Sequence, residues 1–356
     1  MTLTRPTTLA TRAMVATPHH LATTAGVSIL EAGGSAMDAA IAANAVLTVV
    51  YPDQTAIGGD CFFLAFDAST GEVTAYNGSG TAPAAADPAV LIDQGWSRMP
   101  VKGPYSITVP GTIDAWFAGH ERFGRLTVTQ IMNPAIALAR DGFAVSPRLA
   151  GAMRALGDLV YDWPSLRSMM FPNGEPPREG TRLRFPLLAS SLETIAAGGR
   201  DTFYTGEIGA KLARAVRDAG GWLTVDDLAA HRGSWVDPIS ATYRGTTVLT
   251  TPPNSQGLAG LIGLKLLERT GPGTGWGAAP HLHAMVEAAH RAHQVRNEEI
   301  TDPRDMNVTV DELLDEAFLD DLWSDFDPDR ISGSTAGTMA DTVYLCVVDA
   351  DGNAVS

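Results

Sequence analysis

A layered α/β body is the fold class this sequence predicts, and three observations carry it. Small residues are abundant, with 36 glycines and runs such as Asp38-Ala39-Ala40-Ile41-Ala42-Ala43, so helices and sheets can approach closely. Segments of helical period alternate with short apolar runs of strand type. Hydrophobic residues make up 45% of 356 positions, enough for a large core in one large or two ordinary domains.

The elements follow in chain order. Ala22 to Tyr51 reads as a long helical stretch in two parts. Ala25, Ile29 and Leu30 mark a first helix that Gly33 and Gly34 close. Ser35 caps a second, with Asp38 three residues on as a weak capping box. Ala39 to Val50 is apolar nearly all round, so this helix is expected to be buried. Gly58-Gly59-Asp60 then precedes the continuous apolar run Cys61 to Phe66, a strand; Ala68 to Gly71 turns the chain and Glu72 to Tyr76 returns it as a hairpin. Another strand is expected at Gly103 to Pro110. Helices are expected at Thr112 to Phe123 and Val128 to Asp141, ended by Gly124 and Gly142, and at Ser190 to Gly198, Gly206 to Gly220, Leu258 to Glu268 and Pro280 to Glu299. Thr224 to Leu228 is a short capped helix, and Ile239 to Thr250 alternates like a strand pair. Asp327 to Met339, rich in Gly, Ser, Thr and Asp, reads as a surface loop. Thr342 to Asp349 reads as a buried strand, turned by Ala350 to Asn353, with Ala354 to Ser356 opening its partner. A lone hairpin needs further strands, so the sheet is expected to continue beyond Ser356.

Composition excludes several function classes. A formal net charge of −15 repels polyanionic backbones, so no nucleic-acid partner is expected. No stretch supplies the ~20 apolar residues of a membrane span. Met1 to Leu9 lacks the apolar core of a secretory signal, which makes the cytoplasm the expected compartment. Cys61 and Cys346 cannot form a disulfide framework and sit in apolar runs, as inert core thiols do. His283, Glu287 and His290 share a helical face, but no fourth ligand accompanies them, and they read as ordinary helix positions. Gly58-Gly59-Asp60 lacks the lysine and hydroxyl of a phosphate loop. His19-His20 reads as loop packing, and the acidic run Glu312 to Asp329 as a solvated face.

One segment suggests chemistry. A loose loop feeds directly into a strand that opens with Thr342. If the Thr342 hydroxyl attacks the preceding Asp341 carbonyl and opens the chain, the new terminus holds a hydroxyl and an α-amine on one residue. That amine, with a reference pKa of roughly 7.7 to 8.0, can serve as the nucleophile's own base. Thr342 also fits an ordinary β-branched position at a strand start, and on spacing alone that plainer reading is the favoured one.

An ordered set of motifs weighs on that choice. Val15 to Ala22, Gly33-Gly34-Ser35-Ala36-Met37-Asp38-Ala39-Ala40, Gly58-Gly59, Thr81-Ala82-Pro83-Ala84-Ala85, Val109-Pro110-Gly111 and Gly142 to Arg148 resemble the heavy subunits of the γ-glutamyltranspeptidase family. So do Phe203 to Ile208, Ala219 to Thr224, Tyr243-Arg244-Gly245 and Pro252-Pro253-Asn254-Ser255-Gln256-Gly257, and Asp341-Thr342 with Val347 to Val355 resembles the start of the light subunit. The resemblance implies an N-terminal-nucleophile αββα sandwich, incomplete here because most of the light subunit is absent. It implies residues 1–341 as heavy-subunit region, residues 342–356 as the start of the light subunit, and self-cleavage between Asp341 and Thr342. It further implies transfer of an acyl group, typically γ-glutamyl, from a small amide to water or an amine, with no cofactor and with the protein's own light subunit as partner. Family members carry an arginine ahead of Thr-Ala-Pro that grips the substrate carboxylate. In Asn77-Gly78-Ser79-Gly80-Thr81 that place falls to Ser79, which cannot form a charged bidentate clamp. An acylase for another side-chain amide, and a non-catalytic binding fragment, are therefore the alternative expectations.

Overall fold

The computed structural model describes residues 7–157, 163–270, 275, 277–332 and 342–356. Its centre is a six-stranded sheet in the order β1-β9-β10-β2-β3-β6, with every neighbouring pair antiparallel. The strands are β1 (Met14–Ala16), β2 (Cys61–Asp67), β3 (Glu72–Gly78), β6 (Ser234–Val236), β9 (Cys346–Val348) and β10 (Ala354–Val355). Two small hairpin sheets, β4 (Phe143–Ala144) with β5 (Arg182–Leu183) and β7 (Ile239–Tyr243) with β8 (Thr246–Thr250), lie outside it.

The strand pair farthest along the chain therefore sits in mid-sheet. β9 is flanked by β1 and β10, and β10 by β9 and β2, with Val347 opposite Val15 on one side and Val355 on the other. Buried on both edges, β9 has its register fixed by the alternation of Val347 inward and Val348 outward.

The helix Ala36–Val50 packs on this sheet, against β9 and β10. As its all-apolar pattern predicts, every residue but Asn44 is buried, and the Asn44 side chain accepts the Trp116 indole N–H at 2.8 Å. The capping box is present: Asp38 N–H donates to Ser35 Oγ at 3.1 Å and Ser35 N–H to Asp38 Oδ2 at 3.0 Å. The same Asp38 oxygen accepts the backbone N–H groups of Arg125 and Leu126, tying the helix start to the loop after the helix Thr112–Phe123.

A second hydrophobic cluster gathers the helices Gly257–Glu268, Ala279–Glu299 and Glu316–Trp323. No helix among the described residues is long and apolar enough to cross a membrane.

Two expected strands differ. Gly103 to Pro110 forms a 3-10 turn at Pro104–Ser106 and irregular chain instead. Gly103 has φ 111°, Pro104 offers no N–H, and Val109 N–H, bonded to the Thr81 carbonyl at 3.0 Å, is the ladder-like contact of the segment. The strand begins at Cys346 rather than at Thr342, because its partner β1 ends at Ala16, where Thr17-Pro18 turns away into a helix. Of the expected loop Asp327 to Met339, residues 333–339 lie outside the described residues.

Candidate active site

Thr342 stands exposed at the head of the extended segment that runs into β9. Val343 and Leu345 pack against the main core while Tyr344 faces out, so the segment already alternates like the strand it enters. Thr342 to Leu345 form one wall of a cavity of about 530 Å³. Met37, Ile41, Phe63 and Trp116 supply apolar lining, and Asn44, Gln54, Asp60 and Gln256 supply polar groups. Asp341 lies outside the described residues.

Three contacts set this geometry. First, the β9–β10 turn is organised by buried Asp349. Its Oδ1 accepts the N–H groups of Asp351 and Asn353, each at 3.0 Å, and its Oδ2 accepts Ala36 N–H and Asn353 Nδ2, each at 3.1 Å. The hairpin is thereby docked on the first turn of the helix Ala36–Val50. Second, the Gly59 carbonyl accepts from Gly111 N–H, Thr112 N–H and Thr112 Oγ1 at 3.0, 2.9 and 2.8 Å, which fixes the chain just ahead of Asp60. Third, Gly80 N–H donates to Asp60 Oδ1 at 3.2 Å. The close approach of these loops needs glycine: a Cβ at Gly80 would overlap the Val109 carbonyl, and one at Gly111 the Gly78 carbonyl.

Ser79 does not line the cavity. Its hydroxyl donates to Asn77 Oδ1 at 2.7 Å and accepts from Asn254 Nδ2 at 2.9 Å, while Asn77 Nδ2 donates to Asn254 Oδ1 at 2.9 Å. The three side chains form a neutral, mutually satisfied set one residue away from the Gly80–Asp60 contact.

Behind the loops lies an ionic knot that no sequence pattern announced. Asp114 Oδ2 accepts from Tyr76 Oη at 2.5 Å and from Gly233 N–H at 2.8 Å, and Arg200 pairs with Oδ1. Burial works to raise the Asp114 carboxyl, but the hydrogen bonds from Tyr76 and Arg200 outweigh it and hold its pKa below the usual range. Tyr204 Oη donates to the Pro110 carbonyl at 2.8 Å and accepts Asp114 N–H at 3.1 Å, so the knot supports the 110–112 turn that grips Gly59. Arg200 and Asp114 are 86 residues apart, a pairing only the fold reveals.

Cys61, on the cavity wall, is no rival nucleophile: burial pushes its thiol up to about 12, with Asp60 adding to the effect. On the far cluster, Glu287 is held by Arg291 at 2.5 Å and by Ser332, and His283 Nε2 meets the Asp327 carbonyl at 3.1 Å, so the shared helical face serves packing and ion pairing. His19 is a helix cap rather than loop filler.

The gamma-glutamyltranspeptidase family model matches residues 22–356, nearly the whole chain. The chain belongs to the gamma-glutamyltranspeptidase family. Its relatives include a glutathione hydrolase-like proenzyme (YwrD) of Bacillus subtilis, 37% identical over 98% of this chain and 66% of that protein. They also include the oxamate amidohydrolase proenzyme of Klebsiella pneumoniae, 34% identical over 98% of this chain and 66% of that protein. Among solved structures, cephalosporin acylase from Bacillus halodurans superposes with a TM-score of 0.86 at 33% identity, over 99% of this chain and 67% of its own. The chain thus spans just under two thirds of the length of these curated relatives. Family membership places the mixed helix and antiparallel-sheet architecture among the transpeptidases and acylases, the fold class expected from the motifs.

Proposed function

We propose that this protein is a proenzyme that cuts itself between Asp341 and Thr342 and then transfers an acyl group, γ-glutamyl in type, from a small amide to water or an amine. The observation that carries the reading is the place of Thr342: a hydroxyl on the segment that leads into a mid-sheet strand, on the wall of a cavity of about 530 Å³. In the first stage the Thr342 hydroxyl oxygen adds to the Asp341 carbonyl carbon and the C–N bond breaks, leaving an ester and a free amine. Water hydrolyses the ester, giving an Asp341 carboxylate and a free Thr342. In the second stage the amine takes the hydroxyl proton as the oxygen attacks the substrate amide. The leaving amine departs with a proton, and the acyl-enzyme ester passes to water or a second amine. In this reading residues 1–341 are the heavy subunit and residues 342–356 begin the light subunit, which remains bound to it. The substrate is a small molecule and the compartment is the cytoplasm.

A second reading, an acylase for a different side-chain amide, is favoured by the neutral Ser79–Asn77–Asn254 set, which offers no cation to a substrate carboxylate.

The test is a denaturing gel of the full-length protein with N-terminal sequencing. The expected result is two fragments, the smaller starting at Thr342, and a Thr342→Ala variant that stays intact and loses at least about 10³-fold in amide hydrolysis. Cleavage of the alanine variant at the same bond, or amide turnover by an uncut chain, overturns the proposal.

A further inference from the structure

Among the described residues lining the cavity beside Thr342, Asp60 is the one that carries a charged side chain; the other polar lining groups are amides and hydroxyls. Its position is rigid. Gly59 is held by three hydrogen bonds from Gly111 and Thr112, and Gly80 N–H fixes Oδ1. No other hydrogen bond or ion pair engages Asp60 among the described residues; the residue is exposed and lines the cavity. The nearest alternative polar set, Ser79, Asn77 and Asn254, is satisfied within itself. Among the described residues the cavity therefore offers a ligand one anion and no cation.

We infer that Asp60 selects the acyl donor: it takes a donor whose head group carries an ammonium and discriminates against one whose sole charge is a carboxylate. The inference rests on the reading of this cavity as the acyl-transfer site. An ammonium reaching the Asp60 carboxylate forms a charge-assisted hydrogen bond, stronger than a neutral one. A carboxylate in the same place meets a like charge with no counter-ion. Desolvation raises the pKa of Asp60 above its ordinary value, against the hydrogen bond from Gly80 N–H.

Four p-nitroanilides separate the charges one at a time: 4-aminobutyryl (ammonium alone), γ-glutamyl (both), butyryl (neither) and glutaryl (carboxylate alone). With the processed full-length protein, kcat/KM for the 4-aminobutyryl compound should exceed that for the glutaryl compound by about a hundredfold or more. Asp60→Asn, which keeps an acceptor for Gly80 N–H, should shrink that ratio about tenfold or more. Asp60→Glu should retain the preference. An unchanged ratio in Asp60→Asn overturns the inference. A wild-type protein that hydrolyses none of the four counts against the acyl-transfer reading instead. Calorimetric binding of 4-aminobutyramide then decides for Asp60 separately: about tenfold weaker binding by Asp60→Asn supports the assignment, and equal binding overturns it.

Discussion

At position 19 an imidazole performs the duty that serine or aspartate performs at most helix starts. His19 Nδ1 accepts Leu21 N–H at 3.2 Å and caps the helix His20–Glu31, a role only the neutral ring can fill. Burial, with the neighbouring His20 charge, lowers the His19 pKa to about 4. The folded value lies below the ordinary 6.5 of the unfolded chain, so the unfolded state binds the proton first as pH falls. Stability from this residue is complete above about pH 6.5 and is lost progressively toward pH 4, by up to about 3 kcal/mol. Denaturant titrations between pH 7 and 4.5 check this. His19→Asn keeps a capping acceptor without the titration and should flatten the decline, and identical slopes in both proteins would refute the assignment. Asp60 is the other residue whose meaning changed on folding. As sequence it is a charge between two glycines and an apolar strand, a weak signal that marks a loop; the structure puts it on the wall that Thr342 shares.

The element that matters most is the β9–β10 hairpin, and its anchor is Asp349. Removing the carboxylate leaves four N–H donors without partners, two of them on the turn backbone and one at the start of the helix Ala36–Val50. Asp349→Ala should cost about 2–4 kcal/mol. It should also slow self-cleavage by about tenfold or more, because the strand that presents Thr342 loses its docking point. Thermal denaturation and a gel time course measure the two effects, and an unchanged cleavage rate would show that the turn does not set the position of residue 342. The hairpin itself was legible, from an apolar run, a Gly-containing turn and a second apolar start. Its extent was not: apolar alternation from Thr342 onward cannot reveal that β1 ends at Ala16, opposite Cys346, where the strand begins. Gly103 to Pro110 misled for a similar reason, since its β-branched and aromatic content masks a proline and a positive-φ glycine that prevent pairing.

Among the described residues most buried apolar side chains gather in two clusters, one on the large sheet and one among the helices Gly257–Glu268, Ala279–Glu299 and Glu316–Trp323. The second holds a buried ion pair. Arg291 bonds Glu287 at 2.5 Å and Asp325 at 2.7 Å, and Ser332 closes on Glu287 from the other side. Burial would raise the Glu287 carboxyl, yet Ser332 and Arg291 bring it down to about 2. Glu287→Ala leaves the buried Arg291 guanidinium with Asp325 as its remaining ion-pair partner and should cost about 1.5–3 kcal/mol. Hydrogen exchange should show that loss confined to the helices Gly257–Glu268 and Ala279–Glu299, with the helix Ala36–Val50 still protected. Equal loss of protection in both clusters would show that they unfold as one unit.

Sequence by itself determined the parts that depend on neighbours along the chain. The buried helix Ala36–Val50 with its Ser35–Asp38 box, the β2–β3 hairpin and the family motifs are all local patterns, since helix period, capping and turn chemistry act within a few residues. Tertiary structure alone decided what depends on chain segments far apart. It placed β9 and β10 between β1 and β2, closed Ser79 into a neutral set with Asn254, joined Arg200 to Asp114, and brought Asp60 into the lining of the cavity that Thr342 lines. Hydrogen bonds and charges act over a few ångströms, and only the folded path determines which distant residues come within that reach.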